Sequence, residues 1–336
     1  MNYSKLRPII NEVINESFPC LEIDKLIADL QISVLIPCYN EAQTIGRVVA
    51  DFRNQMPNAQ IFVYDNCSTD ETSYIAKSAG AIVRKEQWPG KGNVVRRMFT
   101  DIEADIYLMA DGDGTYDVSM ALDMVRRLIT ERLDMVVGIR RNVYSNAHRV
   151  GHGFGNKLFN RIYQALFGPM FTDIFSGYRV FSRRFVKSFP AISTGFEIET
   201  EMSVHASQLR MPIAEMQTDY GAREIGSNSK LRTVRDGIRI LWVIVLLFKE
   251  IRPAQLFGTI STVLAITSLV LGYPVIDVYL QTGLVPRFPT AILSTGIMLL
   301  ATILLASGLV LDSVARGRFE NKRLFYLGMK QFQSKE

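Results

Sequence analysis

"YLMADGDGTYD", Tyr107 to Asp117, decides how the chain is read. An apolar run ends in two aspartates two positions apart, each followed by glycine. Beyond them Val118, Ala121, Val125 and Leu128 recur at helical spacing. The order is strand, turn, helix. At an extended strand end, alternate residues point the same way, so Asp111 and Asp113 are expected to converge on one point. Gly112 and Gly114 let the backbone bend and a ligand come close. Hard cations such as Mg2+ or Mn2+ bind such carboxylate oxygens and share a substrate diphosphate. A D-G hairpin turn is the bland alternative, but a helix rather than a strand follows it. A calcium loop would need glycine at its sixth position and glutamate at its twelfth, where Tyr116 and Leu122 stand.

The same alternation extends outward. "ISVLIP" at 32–37 reads as a strand, and Ile45, Val48, Val49 and Phe52 mark the helix after it. "QIFVYD" at 60–65 is the next strand, then "STDETSYIAKSAG" a helix with Gly80 at its end. "AIVRK", "GKGNVVRRMFTDIE", "DIYLMA" and "DMVVG" continue the pattern as strand, helix, strand and fifth strand. Strands alternating with helices predict an α/β fold with a mostly parallel sheet, whose ligands bind at the carboxyl ends of the strands. Polar residues gather at those ends, in "PCYNEA", "DNCSTD", "DGDGT" and "GIRR". No G-x-G-x-x-G follows the first strand and no G-x-x-x-x-G-K-[ST] occurs, which argues against a dinucleotide dehydrogenase or a P-loop NTPase.

The C-terminal third differs in kind. From Pro253 to Ile276 and again from Pro289 to Leu311 no charged residue occurs, and each run is long enough to cross a hydrocarbon core. A pair of buried core helices is the alternative. Between the runs lies "DVYLQTGLVPRF", with Arg287 as its one basic residue. Arg232, Arg235, Arg239, Lys249 and Arg252 precede the first run; Arg316, Arg318, Lys322, Arg323 and Lys330 follow the second. The positive-inside rule then places both ends on the cytoplasmic side and the loop outside, making this an integral membrane protein with a cytoplasmic N-terminal domain. The N-terminus, "MNYSKLRPIINEVINESF", lacks the apolar core of a signal peptide. In "LRTVRDGIRILWVIVLLFKEIRP" the apolar part, 240–248, is too short to span and is bracketed by basic residues, which fits an amphipathic helix lying on the membrane surface.

The chain has 336 residues, of which 48% are hydrophobic, with 38 basic and 33 acidic residues for a net charge of +5. That excess is too mild to indicate a nucleic-acid partner. Cys20, Cys38 and Cys67 are far apart and form no C-x-x-C pair, so they read as buried thiols in a reducing compartment. His148 and His152 have the spacing of a helical metal pair but sit in glycine-rich "HRVGHGFG" without an H-E-x-x-H, and read as a loop. His205 reads as a structural helix residue.

"VLIPCYNEAQTI", "VYDNCSTDET", "GKGNVVRRMF", "MADGDGTYD", "VVGIRR" and "SGYRVFSRR" occur in that order. The set resembles a family-2 inverting glycosyltransferase with the GT-A fold. "GAREIGSNSKL" before a two-span tail resembles the polyprenyl-phosphate glycosyltransferases, relatives of dolichyl-phosphate mannose synthase. The resemblance covers about 32–231 and the tail; with the apolar runs and basic flanks it gives a domain plan of an N-terminal helical extension over 1–30 outside the match, a GT-A domain over 31–230, an interfacial helix over 231–252, a hairpin over 253–312 and a basic tail over 313–336. It implies that a sugar moves from a UDP- or GDP-sugar to a polyprenyl phosphate with Mg2+ or Mn2+, and that the enzyme forms an oligomer. Pro37, Tyr39 and Glu41 would line the nucleotide site, Asp65 would meet the base, Asp111 the ribose and diphosphate, and Asp113 the metal. Where relatives carry a glutamine ligand this chain has Thr115, so Thr115, Asp117 or water stands in its place. Arg140, Arg149, Arg223 and Lys230 match basic residues that hold the donor diphosphate or the acceptor phosphate.

Elementary chemistry supports those cations, because joining a nucleotide diphosphate-sugar to a lipid phosphate gathers several negative charges. Their alternative role is to attract an anionic lipid surface. Lys91, in "GKGN" at a helix start, reads equally as a phosphate ligand or as a solvated lysine. A hydroxyl acceptor needs a general base, whereas a lipid phosphate is already anionic. Glu197, Glu199 and Glu201 in "GFEIETE" are therefore read as sugar contacts, arginine partners or solvated groups, with Glu197 kept as a sugar-site residue. Asp173 is expected to orient the acceptor or brace Arg179. Transfer to a hydroxyl of a membrane glycan or glycolipid is the alternative activity, and a membrane-anchored nucleotide-sugar-binding scaffold the non-enzymatic one.

Overall fold

The computed structural model describes residues 20–141, 152–221, 242 and 244–331. They fall into two compact units, one running to Leu241 and resuming at Phe325, the other Trp242–Leu324.

In the first unit the predicted alternation is present. After α1 (Cys20–Asp29) come β1 (Ile32–Cys38), α2 (Ile45–Gln55), β2 (Gln60–Asp65), α3 (Thr72–Ser78), β3 (Ile82–Lys85), α4 (Lys91–Asp101) and β4 (Ile106–Met109). A 3-10 turn, Val118–Met120, leads into α5 (Ala121–Thr130), then β5 (Met135–Arg141) and α6 (His152–Phe167). β6 (Arg179–Ser182), α7 (Arg183–Ser188), α8 (Ile198–Leu209) and β7 (Ile213–Asp219) complete the unit's regular elements up to Leu241. His152 thus opens a helix, where the sequence suggested a loop; His148 lies outside the described residues.

The seven strands form one sheet in the order β3-β2-β1-β4-β6-β5-β7. β1 pairs in parallel with β2 and β4, β2 with β3, and β5 with β7, while β6 is antiparallel to both β4 and β5. Every strand but β6 therefore runs the same way. β1 and β4 are buried along their whole length, as continuous apolar runs covered on both faces must be. α2 buries Ile45, Val48, Val49 and Phe52, the four residues its periodicity singled out. α5 buries Met124, Val125 and Leu128 against the same core.

The opposite edge of the sheet, where β5 begins, holds a second polar centre. Asp134 is fully buried and accepts from Ser182 Oγ at 2.7 Å and from Arg184 Nη2 at 2.8 Å. Tyr326 donates its hydroxyl to Asp134 Oδ2 at 2.5 Å and lies under the Arg184 guanidinium, and Gln331 donates to the Leu133 carbonyl. The C-terminal residues from Phe325 are thus part of this unit.

The second unit contains α9 (Pro253–Thr282) and most of α10 (Phe288–Leu327). Ser261 Oγ donates to the Ala301 carbonyl at 2.8 Å, and Ser268 Oγ to that of Ser294 at 2.7 Å. A Cβ on Gly308 would stand 2.7 Å from Phe257 Cβ, so the helices approach closely there. Small residues one heptad apart line this seam, the arrangement that lets apolar helices pack without a water-driven force. Only 11% of each apolar window is buried, whereas a core helix is mostly buried. Each helix is long and apolar enough to cross a membrane.

Both helices exceed their charge-free runs. α9 takes in "DVYLQT" and stops at Gly283, whose φ of 69° supplies the left-handed turn that ends helices. α10 continues past Leu311 to Leu327. Of the expected interfacial segment, 244–251 is helical, and 231–241 and 243 lie outside the described residues.

Candidate active site

The strand ends of β1, β2, β4 and β5 deliver the predicted polar residues to one edge of the sheet, together with the start of antiparallel β6 and the end of β7. β4 ends at Met109, so the aspartate motif lies in a turn rather than on an extended strand. Alternation therefore does not aim its carboxylates, and each takes its own partners.

Asp113 is buried, and its Oδ1 accepts from the Thr115 amide at 3.2 Å and from Thr115 Oγ1 at 2.6 Å. Thr44 Oγ1 donates to the Gly112 carbonyl at 2.6 Å, tying the turn to the start of α2. Asp111 instead pairs with Lys91, the first residue of α4. Lys91 Nζ also meets Glu199 Oε1, at 2.5 Å, and its side chain is 10% exposed. The solvated-loop reading of Lys91 is thereby excluded. Burial works against its ammonium, but Asp111 and then Glu199 outweigh burial and hold it charged, well above the usual lysine range.

Gly177, two residues before β6, closes this pair from one side. A Cβ there would come 2.8 Å from Asp111 Oδ2 and 3.0 Å from Lys91 Nζ. The Gly177 amide donates to Tyr116 Oη at 2.9 Å, which brings the last residue of the aspartate turn to the same place. Burial, reinforced by the Asp111 charge, pushes the Tyr116 phenol far up, so it stays neutral. Tyr116 also pairs with Tyr220 as an isolated bridge, and the Gly221 amide donates to the Thr115 carbonyl at 2.8 Å. The chain leaving β7 is thus stitched to the aspartate turn.

Arg140, near the end of β5, is held by Asp173 through Nε (2.8 Å) and Nη2 (2.9 Å), and stacks over the Tyr220 ring. Asp173 keeps it firmly charged against the cost of burial. Asp173 therefore braces Arg140 directly. Arg179 is fully buried and is held by the Ser176 and Ile174 carbonyls and the Ser203 hydroxyl. Its guanidinium pKa is pushed down by burial.

On the β2 side, Asp65 accepts from the Ser68 amide at 2.9 Å and from the Ser73 hydroxyl. Pro37 is buried within β1, Tyr39 is exposed just beyond it, and the Glu41 amide donates to Thr72 Oγ1 at 2.9 Å. Asn66 holds the "PGKG" loop by accepting from the Gly90 amide at 2.7 Å and donating to the Trp88 carbonyl at 2.8 Å. That loop packs on 193–194, where the Gly92 amide donates to the Thr194 carbonyl at 3.1 Å. Glu197 stands at the position before α8 without a side-chain bond to the helix, and accepts from the Gly195 amide at 3.1 Å. Glu201 accepts from the Ile192 and Ser193 amides at 2.9 and 2.7 Å, so it braces the 192–194 loop. Arg149, Arg223 and Lys230 lie outside the described residues.

At the centre of this arrangement stand Lys91, which the sequence left equally a phosphate ligand or a solvated lysine, and Glu199, which it left a sugar contact, an arginine partner or a solvated group; the signal for Lys91 is its place between two glycines at a helix start. Among the described residues no three His, Cys, Asp or Glu side chains gather as a metal cage. The oxygens of Asp113 and Thr115, buried and 2.6 Å apart, suit instead a hard cation that completes its shell with substrate oxygens.

A model of the family described as "Glycosyl transferase family 2" matches residues 33–189, which carry the ends of β1, β2, β4 and β5. Glycosyltransferase AglJ of Haloferax volcanii is 34% identical over 244 residues, 71% of this chain and 78% of that protein. The chain belongs to glycosyl transferase family 2. Protein RfbJ of Shigella flexneri is 55% identical to this transferase over 123 residues, 35% of the transferase and 95% of RfbJ. A crystal structure of glucosyl-3-phosphoglycerate synthase from Mycobacterium tuberculosis, in complex with Mn2+, uridine diphosphate and phosphoglyceric acid, superposes with a TM-score of 0.57 at 21% identity, covering 68% of this chain and 81% of that one. The shared architecture is the GT-A fold, here a mostly parallel seven-stranded sheet with helices.

Proposed function

We propose that this transferase moves a sugar from a UDP- or GDP-sugar to a polyprenyl phosphate at the cytoplasmic face of a membrane, inverting the anomeric centre. The observation that carries the proposal is the union, in one chain, of a family-2 transferase unit with two apolar helices whose faces are largely unburied, the second of which rejoins that unit at Phe325. A lipid acceptor suits such a protein, because its headgroup can be presented at the membrane surface while the donor arrives from water.

The glutamates agree with an anionic acceptor. Glu201 is engaged by two backbone amides and Glu199 by Lys91, so neither is placed as a general base for a hydroxyl. A phosphate nucleophile needs none; alignment and charge placement suffice. Arg140 is presented rigidly, since Asp173 grips its Nε and Nη2 edge and the Nη1 edge is not used by that pair. Gly221 stands at the aspartate turn and Arg223 is two residues further in sequence, which favours Arg223, with Lys230 and Arg149, as phosphate contacts. Pro37, Tyr39, Glu41 and Asp65 would hold the nucleoside, with Glu197 near the sugar. Asp113 and Thr115 would hold Mg2+ or Mn2+, which when bound neutralises the departing diphosphate.

The test is a screen of UDP- and GDP-sugars against polyprenyl phosphates with the full-length protein in detergent or lipid, read by mass spectrometry of the lipid product. The expected product is an acid-labile polyprenyl monophosphate sugar. A stable glycoside on a hydroxyl acceptor, with no phosphodiester formed, would overturn the proposal.

A further inference from the structure

We propose that Arg179 is a positioning residue of the transfer reaction: from within the core it fixes the 173–177 segment and, through Asp173, the Arg140 guanidinium that meets the donor diphosphate. This rests on the donor reading above. Arg179 opens β6, where its backbone pairs with Met109, the last residue of β4, and with Val137 of β5. The side chain therefore reaches out from the fixed frame of the sheet. Its Nε donates to the Ser176 carbonyl at 2.8 Å and its Nη2 to the Ile174 carbonyl at 3.0 Å. These two carbonyls flank Phe175, whose amide donates to Asp173 Oδ1 at 3.1 Å, and that same oxygen accepts from Arg140 Nη2 at 2.9 Å. Ser176 Oγ closes the segment onto the Gly138 carbonyl, two residues before Arg140 on β5. On its other side, Arg179 Nη1 donates to Ser203 Oγ at 3.1 Å, and Ser203 Oγ donates to the Glu199 carbonyl in the first turn of α8. One guanidinium thus braces the segment that carries Asp173 against the helix that carries Glu199. Stability alone does not account for this residue. Arg179 is fully buried, and its donors are met by carbonyls, a hydroxyl and the Met135 sulfur. Burying a charge is costly, and well-packed apolar residues in its place are often at least as stable. What an arginine adds is a rigid planar fork that holds several acceptors in set directions at once, which neither a lysine nor an apolar chain can do.

The test compares the affinity of the full-length protein in detergent, with Mg2+, for UDP against UMP and for GDP against GMP, by isothermal titration calorimetry. The pair that the wild type binds more tightly is used for the variants. In Arg179→Met the diphosphate should bind about tenfold more weakly, the scale of one charge-assisted hydrogen bond, while the monophosphate stays within about twofold of the wild type. Arg140→Met should lose the same preference. The double variant should lose little beyond Arg140→Met alone, because the two residues act as one unit. Arg179→Lys, which keeps the charge without the fork, should fall between wild type and Arg179→Met. Ser182→Ala is the control for stability. It removes buried bonds to Asp134 and to the Phe185 amide at the far end of β6. It should lower the melting temperature by about 2–4 °C and leave both affinities within about twofold. A diphosphate preference that survives in Arg179→Met, falls equally in Ser182→Ala, or falls additively in the double variant would overturn the proposal. Arg179→Lys replaces Arg179→Met if the latter does not fold. If neither folds, Ser203→Ala, which cuts one tether, should weaken diphosphate binding about threefold, and no change there overturns the proposal. A wild type without preference for the diphosphate would overturn the donor reading and this proposal together, whereas a preference kept in Arg179→Met overturns the proposal alone. A donor screen without polyprenyl product would sink the acceptor reading and leave this measurement standing.

Discussion

A carboxylate brought to the buried end of a strand needs a cation or a set of donors, and the two motif aspartates meet that need differently. Asp113 takes the hydroxyl and amide of Thr115, whereas Asp111 takes Lys91. Asp113→Ala should lower transfer at least about 100-fold, the range seen when a group stabilising transition-state charge is lost. Its cost in stability should be about 1–3 kcal/mol, since the buried amide and hydroxyl of Thr115 both lose an acceptor. Product formation and a thermal melt on the same sample check both halves; near-normal turnover after divalent metal is removed would discard the metal role. Gly177→Ala should be as harmful by another route, because the methyl would displace both members of the Asp111–Lys91 pair. A shift of that size at a binding group is worth about 100-fold in kcat/KM, with little change in the melt. The sequence made Asp113 legible through its spacing and its place after an apolar run. It could not show Lys91 or the Arg140–Asp173 pair in the same way. Lys91 meets Asp111 and Glu199, and Arg140 meets Asp173, only once separate strands and helices converge.

At the scale of elements, the clearest strands are those buried on both faces, while the largely exposed β3 was legible from "AIVRK" and its place in the alternation. "ISVLIP" and "DIYLMA" announce β1 and β4 because nothing polar interrupts them. β6 and β7 were not read as strands, for physical reasons. β6 is four residues long and begins with Arg179, an arginine buried by carbonyls that a sequence cannot reveal. β7 lies at the edge of the sheet; Glu215, Gln217 and Asp219 make one face polar and the other offers only Ala214, Met216 and Thr218, so its apolar signal is weak. The helix ends depend on equally hidden contacts. Gly92, in the first turn of α4, is required because a Cβ there would lie 2.1 Å from the Ser193 carbonyl oxygen. That atom is backbone and yields little, so Gly92→Ala should cost about 2 kcal/mol, the usual price of forcing a methyl into a packed site. Urea titration of the variant checks it. A variant as stable as wild type would mean that the 193–194 loop is freer than its contact with α4 implies.

At the scale of the whole molecule, what matters is where the chain leaves and rejoins the transferase unit. It leaves at Leu241 and returns at Phe325, and Tyr326 is locked to Asp134 on the sheet edge opposite the aspartate turn. Two spans bring a chain back to the side it started from, so a hairpin in the membrane is compatible with this return, whereas a single span is not. In the proposed hairpin, the five-residue connection from Gly283 to Arg287 faces the other side. Basic residues flank the hairpin on the transferase side, and such residues are retained on the cytoplasmic face. The prediction is direct. In intact bacterial cells expressing Leu284→Cys, a membrane-impermeant maleimide should label the protein without permeabilisation. The wild type, whose exposed Cys67 lies in the transferase unit, should be labelled only after the cells are opened. Labelling of both proteins only after opening would place the connection on the same side as the site, and the helices would then lie along the membrane or against a partner instead of crossing it. Labelling of the wild type in intact cells would put the transferase unit outside, away from a cytosolic donor, and the acceptor reading would have to be abandoned with it.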